Sequence, residues 1–215
     1  MDGKGRIQVN RKKKAIKYRL IINLINTRLN YYMLISIVKI IKGKIIIIKN
    51  KKEILWIMDN KKDIKNVIKI FKKYPPLTSR LYCQLRFLKF CITKKLVYNF
   101  LKKRKFKYNK QTYFIKKFFV PFYFSCWLSG FIEAIGIFQF EKDNSYFFIE
   151  LKDDFLLSSI KNYFNFEIKI KSSSKSTYYI KTYNKNNIKK IIKHCLSYPL
   201  LGEKSIIIDK FLKLK

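Results

Sequence analysis

The sequence predicts an α+β protein built from two copies of one unit, each a four-stranded antiparallel sheet backed by helices. Three observations predict it: an internal repeat, strand-type alternation at the head of each copy, and helical patterns that stop at Tyr-Pro. The repeat is clearest where "IKNVIKIFKKYPPL" (64–77) aligns with "IKKIIKHCLSYPLL" (188–201), 7 of 14 positions being identical. A proline there ends one helix and opens a turn, because it lacks an N–H and bars helical geometry to its predecessor. The heads match too: "MDGKGRIQVN" (1–10) aligns with "IEAIGIFQFE" (132–141), pairing Gly5 with Gly136 and Gln8 with Gln139.

Each copy reads in order. In the first, Ile7 and Val9 alternate with Arg6, Gln8 and Asn10, the period of a strand with one buried face. Strands are predicted near 6–12, 15–24, 44–49 and 53–58. Helices are predicted near 28–42, with Gly43 as a C-cap, then near 61–73 and 77–93. In the second copy strands are predicted near 137–142, 145–151, 166–171 and 176–183, with "KSSSKS" (171–176) as a hairpin turn. Its helices are predicted near 153–164, started by Asp153 or Asp154, and near 185–196 and 202–214. Four strands with helices on one face make an α+β layer pair. The organisation is therefore 1–93 for the first repeat, 94–120 for a basic aromatic linker and 121–215 for the second repeat.

Charge sets the partner class. The chain has 49 Lys and Arg against 13 Asp and Glu, a net charge of +36, which selects a polyanion. Residues 1–93 hold 24 basic and 4 acidic residues, and 94–120 hold 10 basic and none acidic. Lys, Ile, Phe, Tyr and Asn dominate, so the codons are rich in A and T, as in an organellar genome. No transit or secretory signal is legible at the start, which fits synthesis inside an organelle, the mitochondrial matrix being expected. The longest apolar run, 118–132, is broken by Pro121 and falls short of the roughly 20 residues of a spanning helix, so no membrane is expected. Cys83, Cys91, Cys126 and Cys195 have no paired short spacing and read as free thiols, and His194 reads as packing.

The segment "WLSGFIEAIG" resembles the signature of the LAGLIDADG homing endonucleases and maturases, and "MDGKG" resembles its second half. Leu128, Gly130, Phe131, Ile132, Ala134 and Gly136 fit the first, with Glu133 as its first acid; Asp2, Gly3 and Gly5 fit the second. Two motifs heading two full repeats make the likeness specific. It implies pseudo-symmetric αββαββα repeats in a monomer, two sheets forming a saddle, and motif helices packed through Gly3, Gly5, Gly130, Ala134 and Gly136. It also implies that the last acid of each motif holds divalent metal ions beside the scissile phosphates. Lys4 and Ile135 occupy those two places, so no metal, no cofactor and no catalytic residue is expected. Asp2 and Glu133 lie two residues earlier, about 200° around the helix. Met1 falls near the fifth motif position, so the first motif helix is expected to be short.

A binding surface is expected instead. Its candidates are Lys4, Arg6, Gln8 and Asn10 on the first strand, Arg11, Lys12, Lys13 and Lys14 at the hairpin tip, and Lys17 and Arg19 on the second strand. The linker adds Lys102, Lys103, Arg104, Lys105, Lys107 and Tyr108, bases interleaved with rings that could stack on unpaired nucleotides. Glu141, Asp143, Glu150, Asp153 and Asp154 make the second repeat less suited to phosphate. The expected function is a non-enzymatic RNA-binding protein of an organellar ribonucleoprotein, the mitochondrial ribosome with its rRNA and neighbouring proteins. An intron maturase is the alternative, and an active DNA homing endonuclease the third reading.

Overall fold

The computed structural model describes all residues except 13–14, 49, 95–96, 110, 112–118, 141–144, 175 and 214–215, and except the side chains of 12, 94, 99, 174 and 213. The chain forms two compact units, Met1–Lys117 and Phe118–Lys215. The first contains β1 (Gly5–Lys12), β2 (Ala15–Ile25), α1 (Arg28–Ile41), β3 (Lys44–Ile48), β4 (Glu53–Met58), α2 (Lys61–Lys73), α3 (Ser79–Lys94) and α4 (Val97–Arg104). The second contains α5 (Phe124–Ile135), β5 (Ile137–Gln139), β6 (Tyr146–Leu151), α6 (Asp154–Phe164), β7 (Lys171–Ser174), β8 (Thr177–Thr182), α7 (Lys185–Ser197) and α8 (Lys204–Lys213). Each unit has one four-stranded antiparallel sheet, ordered β1-β2-β4-β3 in the first and β5-β6-β8-β7 in the second. The predicted α+β architecture is thus the observed one.

Period-two patterning puts one face of each sheet into a core. In the first unit Ile7, Val9, Leu20, Ile54, Trp56 and Met58 meet Leu34, Ile64, Leu81 and Leu88 from the helices. In the second, Phe147, Ile149 and Ile180 are buried, as are Leu156, Ile160, Ile188 and Ile191 of α6 and α7. Trp56 is fully buried, so its indole N–H needs a partner, and it donates to the Lys42 carbonyl at 2.8 Å. Gly43 follows the cap residue Lys42 at φ +101°, where a Cβ would come within 2.5 Å of that indole nitrogen. Backbone conformation and space both demand glycine there.

The sequence repeat is also a repeat of dihedral angles. Asn60 caps α2, accepting from the Lys62 and Asp63 N–H groups, and Asn184 caps α7, accepting from Asn186 and Asn187. Tyr74 and Tyr198 close the two helices at φ −125°, ψ 78° and φ −128°, ψ 82°, each N–H donating to the fourth residue back at 2.8 Å. The following proline forces this extended exit in both.

One strand differs from expectation. Residues 166–170 are not a strand; β7 begins at Lys171, inside the segment read as a turn. Asn165 takes a left-handed conformation at the end of α6, which lets the Phe166 N–H reach the Lys161 carbonyl at 3.0 Å. Phe166 then stacks on Phe164, their ring centres 5.1 Å apart. The apolar residues of this segment thus cap a helix, and Ser172 and Ser173, which suggest a turn, lie in a strand.

His194 is buried in α7 between two hydroxyls, with Ser129 Oγ 3.0 Å from Nε2 and Tyr163 Oη 3.0 Å from Nδ1. Ser129 gives its only proton to the Tyr198 carbonyl at 2.6 Å, so Nε2 is the protonated nitrogen and donates to Ser129, while the Tyr163 hydroxyl lies against Nδ1 and 3.1 Å from Ser125 Oγ. The relay ties α5, α6 and α7 together around a neutral imidazole. Burial pushes the His194 pKa down from 6.5 to about 4. A depressed folded-state value means stability that is complete above pH 6.5 and is lost as pH falls towards about 4. Urea unfolding between pH 7 and pH 4.5 should show wild type losing on the order of 2 kcal/mol relative to His194→Gln, which cannot titrate.

Candidate nucleic-acid interface

The first sheet turns its other face outward, and the register fixes what stands there. Arg6 pairs with Ile21, Gln8 with Arg19 and Asn10 with Lys17 across β1 and β2. Ile21 continues to Ile57 on β4, and Ile57 to Lys44 on β3. One row therefore crosses all four strands, with cations at both ends and two nearly buried isoleucines between. Asp59, just past β4, lies 3.1 Å from Lys44 and 4.0 Å from Arg19, and fixes both cations at this face. Sequence reasoning missed Lys44 and Asp59. The available signal was the alternation of "KIIIIK", which shows a face but not which way it points.

Not every basic candidate joins this face. Arg11 has the parity of Ile7 and Val9 and is exposed at the strand end, away from the Gln8–Arg19 pair. Lys12 pairs with Ala15 at the end of the hairpin. Lys13 and Lys14, like Tyr113, Phe114, Glu141 and Asp143, lie outside the described residues. Of the acids read as unfavourable in the second repeat, Asp153 is buried at the start of α6 and Asp154 accepts from the Phe155 N–H. Glu150 alone, among the described ones, stands on the outer sheet face, where Ser173 donates to it.

The basic connector docks beside β1. Lys102, Lys103 and Arg104 are exposed on α4. Tyr108 accepts from Gln84 Nε2 at 3.1 Å, while Gln84 Oε1 accepts from the Ile7 N–H at 2.8 Å. Gln84 thus satisfies the edge of β1 and anchors the connector to it. A shallow pocket results, lined among others by Gln8, Asn10, Arg104 and Lys107. Arg104 lies over Phe100 and Lys107 over Tyr108, at 5.8 Å and 4.7 Å from the ring centres. Lys105 sits in the turn between them.

The motif segments are held by a reciprocal clasp. Asp2 accepts from the Leu77 and Thr78 N–H groups at 3.2 and 3.1 Å and from the Thr78 hydroxyl at 2.5 Å. Glu133 accepts from Gly202 at 3.0 Å and from Lys204 at 3.2 Å. Each acid thereby caps the turn that opens the last long helix of its repeat. In return Arg80 donates to the Asp2, Gly3 and Gly5 carbonyls, and Lys204 Nζ to those of Ile132 and Glu133. The small residues have local reasons: a Cβ on Gly5 would meet Met1 at 2.6 Å, and one on Gly136 would meet the Ile132 carbonyl at 2.9 Å. Gly130 has open space around such a Cβ, and Ala134 is half-buried.

A divalent ion does not fit these residues. Both carboxylate oxygens of Asp2 and of Glu133 serve backbone or hydroxyl donors. The side chains of Lys4 and Ile135 bring no oxygen. Among the described residues no group of three or more His, Cys, Asp or Glu could hold a metal. The four cysteines form no disulfide; burial raises Cys91 to about 11 and Cys195 to about 12, so neither is a thiolate near neutrality. No helix among the described residues is long and apolar enough to cross a membrane.

The LAGLIDADG endonuclease family matches residues 1–91 and 128–214. The chain belongs to that family. A LAGLIDADG relative named "Probable intron-encoded endonuclease aI3" from Debaryomyces hansenii is 37% identical over 99% of this chain, which spans 36% of that protein's length. One of the same name from Dictyostelium citrinum is 38% identical over 98% of this chain and 90% of its own length. Among solved structures, the LAGLIDADG meganuclease I-AabMI bound to uncleaved DNA superposes with a TM-score of 0.75 at 19% identity, over 99% of this chain and 86% of the other. I-SmaMI bound to an uncleaved DNA target with calcium gives 0.74 at 19% identity, over 99% and 87%.

These findings overturn the functional expectation. The relatives are named endonucleases and the neighbouring structures hold DNA, so the reading as a non-enzymatic RNA-binding protein, with rRNA and ribonucleoprotein partners, does not stand. The physical reason is simple: net charge reports phosphate, which DNA and RNA share.

The clasp makes a direct prediction. Glu133→Ala should lower stability by about 1–2 kcal/mol in urea unfolding, as loss of a capping acid does. Glu133→Gln, which still accepts, should recover part of it.

Proposed function

We propose that this chain acts on double-stranded DNA as an intron-encoded endonuclease of its family, gripping a target site with the outer faces of its two sheets. The observation that carries this is the outer face of the first sheet. There Gln8–Arg19 and Asn10–Lys17 stand as cross-strand pairs, framed by the Arg6-to-Lys44 row. A twisted ribbon with such side chains suits the major groove, where Arg and Lys pair with guanine and Asn and Gln with adenine. Arg11, Lys12, Lys13, Lys14, Lys102, Lys103, Arg104, Lys105 and Lys107 supply phosphate contacts around it. Lys4 is the cation that the chain itself offers at the foot of the first motif, where strand scission builds negative charge on oxygen. The organisation is two repeats joined by a basic connector at 94–120. The A/T-rich codons implied by the composition support an organellar, mitochondrial origin.

The test is selection of duplexes from a randomised pool by the full chain, followed by titration against matched single-stranded RNA. Duplex should bind at least tenfold tighter, and discrete products, scored with and without Mg²⁺, would report scission. Equal or tighter RNA binding overturns the proposal. Lys102→Ala with Lys103→Ala should reduce the slope of log affinity against log salt by about one unit per lost phosphate contact, whereas Lys17→Ala with Arg19→Ala should relax the selected sequence.

A further inference from the structure

The outer faces of the two sheets differ in chemistry. The described outward positions of the first sheet carry no aromatic ring: they are polar or charged at Arg6, Gln8, Asn10, Lys17, Arg19, Asn23, Lys44 and Glu53, and aliphatic elsewhere. The equivalent face of the second sheet is aromatic. Phe138, Phe147, Ile149 and Ile180 point into the core, so Tyr146, Phe148 and Tyr179 point outward, with Tyr183 continuing the parity of β8. Tyr146 lies 5.6 Å from Tyr183, and Phe148 lies 5.5 Å from Tyr179, between ring centres. Phe148 stands between Ile137 and Lys181 in one row across β5, β6 and β8.

Tyr183 is exposed and the other three rings are half-buried, and two chemistries would use them: stacking on unpaired bases, or contact with apolar groups in a groove. Ring placement decides between them. The Lys181 ammonium covers the faces of Tyr146 and Tyr183, at 4.2 and 5.0 Å from their centres. Phe148 and Tyr179 pack against each other. Rings engaged in this way are less open to sandwiching a base, which favours contact with apolar groups in a groove. The apolar group that duplex DNA presents in its major groove is the thymine C5-methyl. The cations Lys181 and Lys171 on the same face match the flanking phosphates, while the one described acid there, Glu150 opposite Tyr179, is engaged by the Ser173 hydroxyl.

We propose that the second repeat reads a thymine-rich half-site, with Tyr146, Phe148, Tyr179 and Tyr183 packing against thymine methyl groups, while the first repeat reads its half by hydrogen bonds. The proposal rests on the duplex-DNA reading above and assigns each half of the target its own code. An A/T-rich gene of the kind this composition implies offers such half-sites in abundance.

The test uses the full chain and a duplex selected from the randomised pool. Thymines are replaced by deoxyuridine, which lacks only the C5-methyl, in one half at a time. The selected site should be thymine-rich in one half, and deoxyuridine there should weaken binding about fourfold per contacted methyl, the worth of one buried methyl group. The same replacement in the other half should change affinity less than twofold. Phe148→Ala with Tyr179→Ala should abolish the deoxyuridine effect, in a protein whose unfolding midpoint and circular dichroism are checked first. Tight duplex binding with no deoxyuridine effect, or an equal effect in both halves, overturns this inference and leaves the duplex reading intact. Failure to select any duplex, or preference for single strands, overturns the duplex reading itself.

Discussion

The fold rests on carboxylates that answer backbone N–H groups more than 65 residues away in the chain. Asp2 and Glu133 bring the head of each repeat to the turn after its Tyr-Pro pair, and Arg80 and Lys204 close the same contact from the other side. Each acid at the opening of a helix is favourable against its dipole, and in the second repeat Lys204 is likewise favourable at the end of α5. Here they share one loop, so each contact positions the other. Once the head is fixed, β1 and β5 must start where they do, and the sheet register follows.

Much of this was legible because two copies of a message correct each other. Tyr74-Pro75 alone is a weak punctuation mark; matched by Tyr198-Pro199 at the end of a second helical pattern, it fixes an element boundary. The alternation of Ile7 and Val9 with polar residues gave the outward face of β1. The clasp was not legible, because nothing periodic links Asp2 to Thr78. The repeat alignment does carry a trace: Arg80 and Lys204 occupy equivalent positions, a charge kept while neighbours change. The Asn165 turn was missed because a single left-handed residue converts an apolar run from strand to helix cap. The partner was misjudged for a different reason. Charge counts phosphates, and only the geometry of a sheet face bears on what lies between them.

The two repeats share a backbone plan and have diverged in what they present. One offers amides, guanidinium and ammonium groups in cross-strand pairs; the other offers rings steadied by Lys181. Their cores differ as well. The second depends on a neutral His194 held by Ser129 and Tyr163, whereas the aligned Ile70 of the first is exposed and takes no part in its core. Identical topology has therefore been stabilised by unlike chemistry, and acid should loosen one half before the other.

Gln8 and Arg19 stand directly opposite each other, and so do Asn10 and Lys17. Side chains that close share the space above the sheet, and either one limits the rotamers open to its neighbour. Inheritance and engineering of target preference must then proceed two positions at a time. A lone replacement leaves a partner posed for a base that is no longer addressed, so altered preference should arise through coupled changes in residues a hairpin apart.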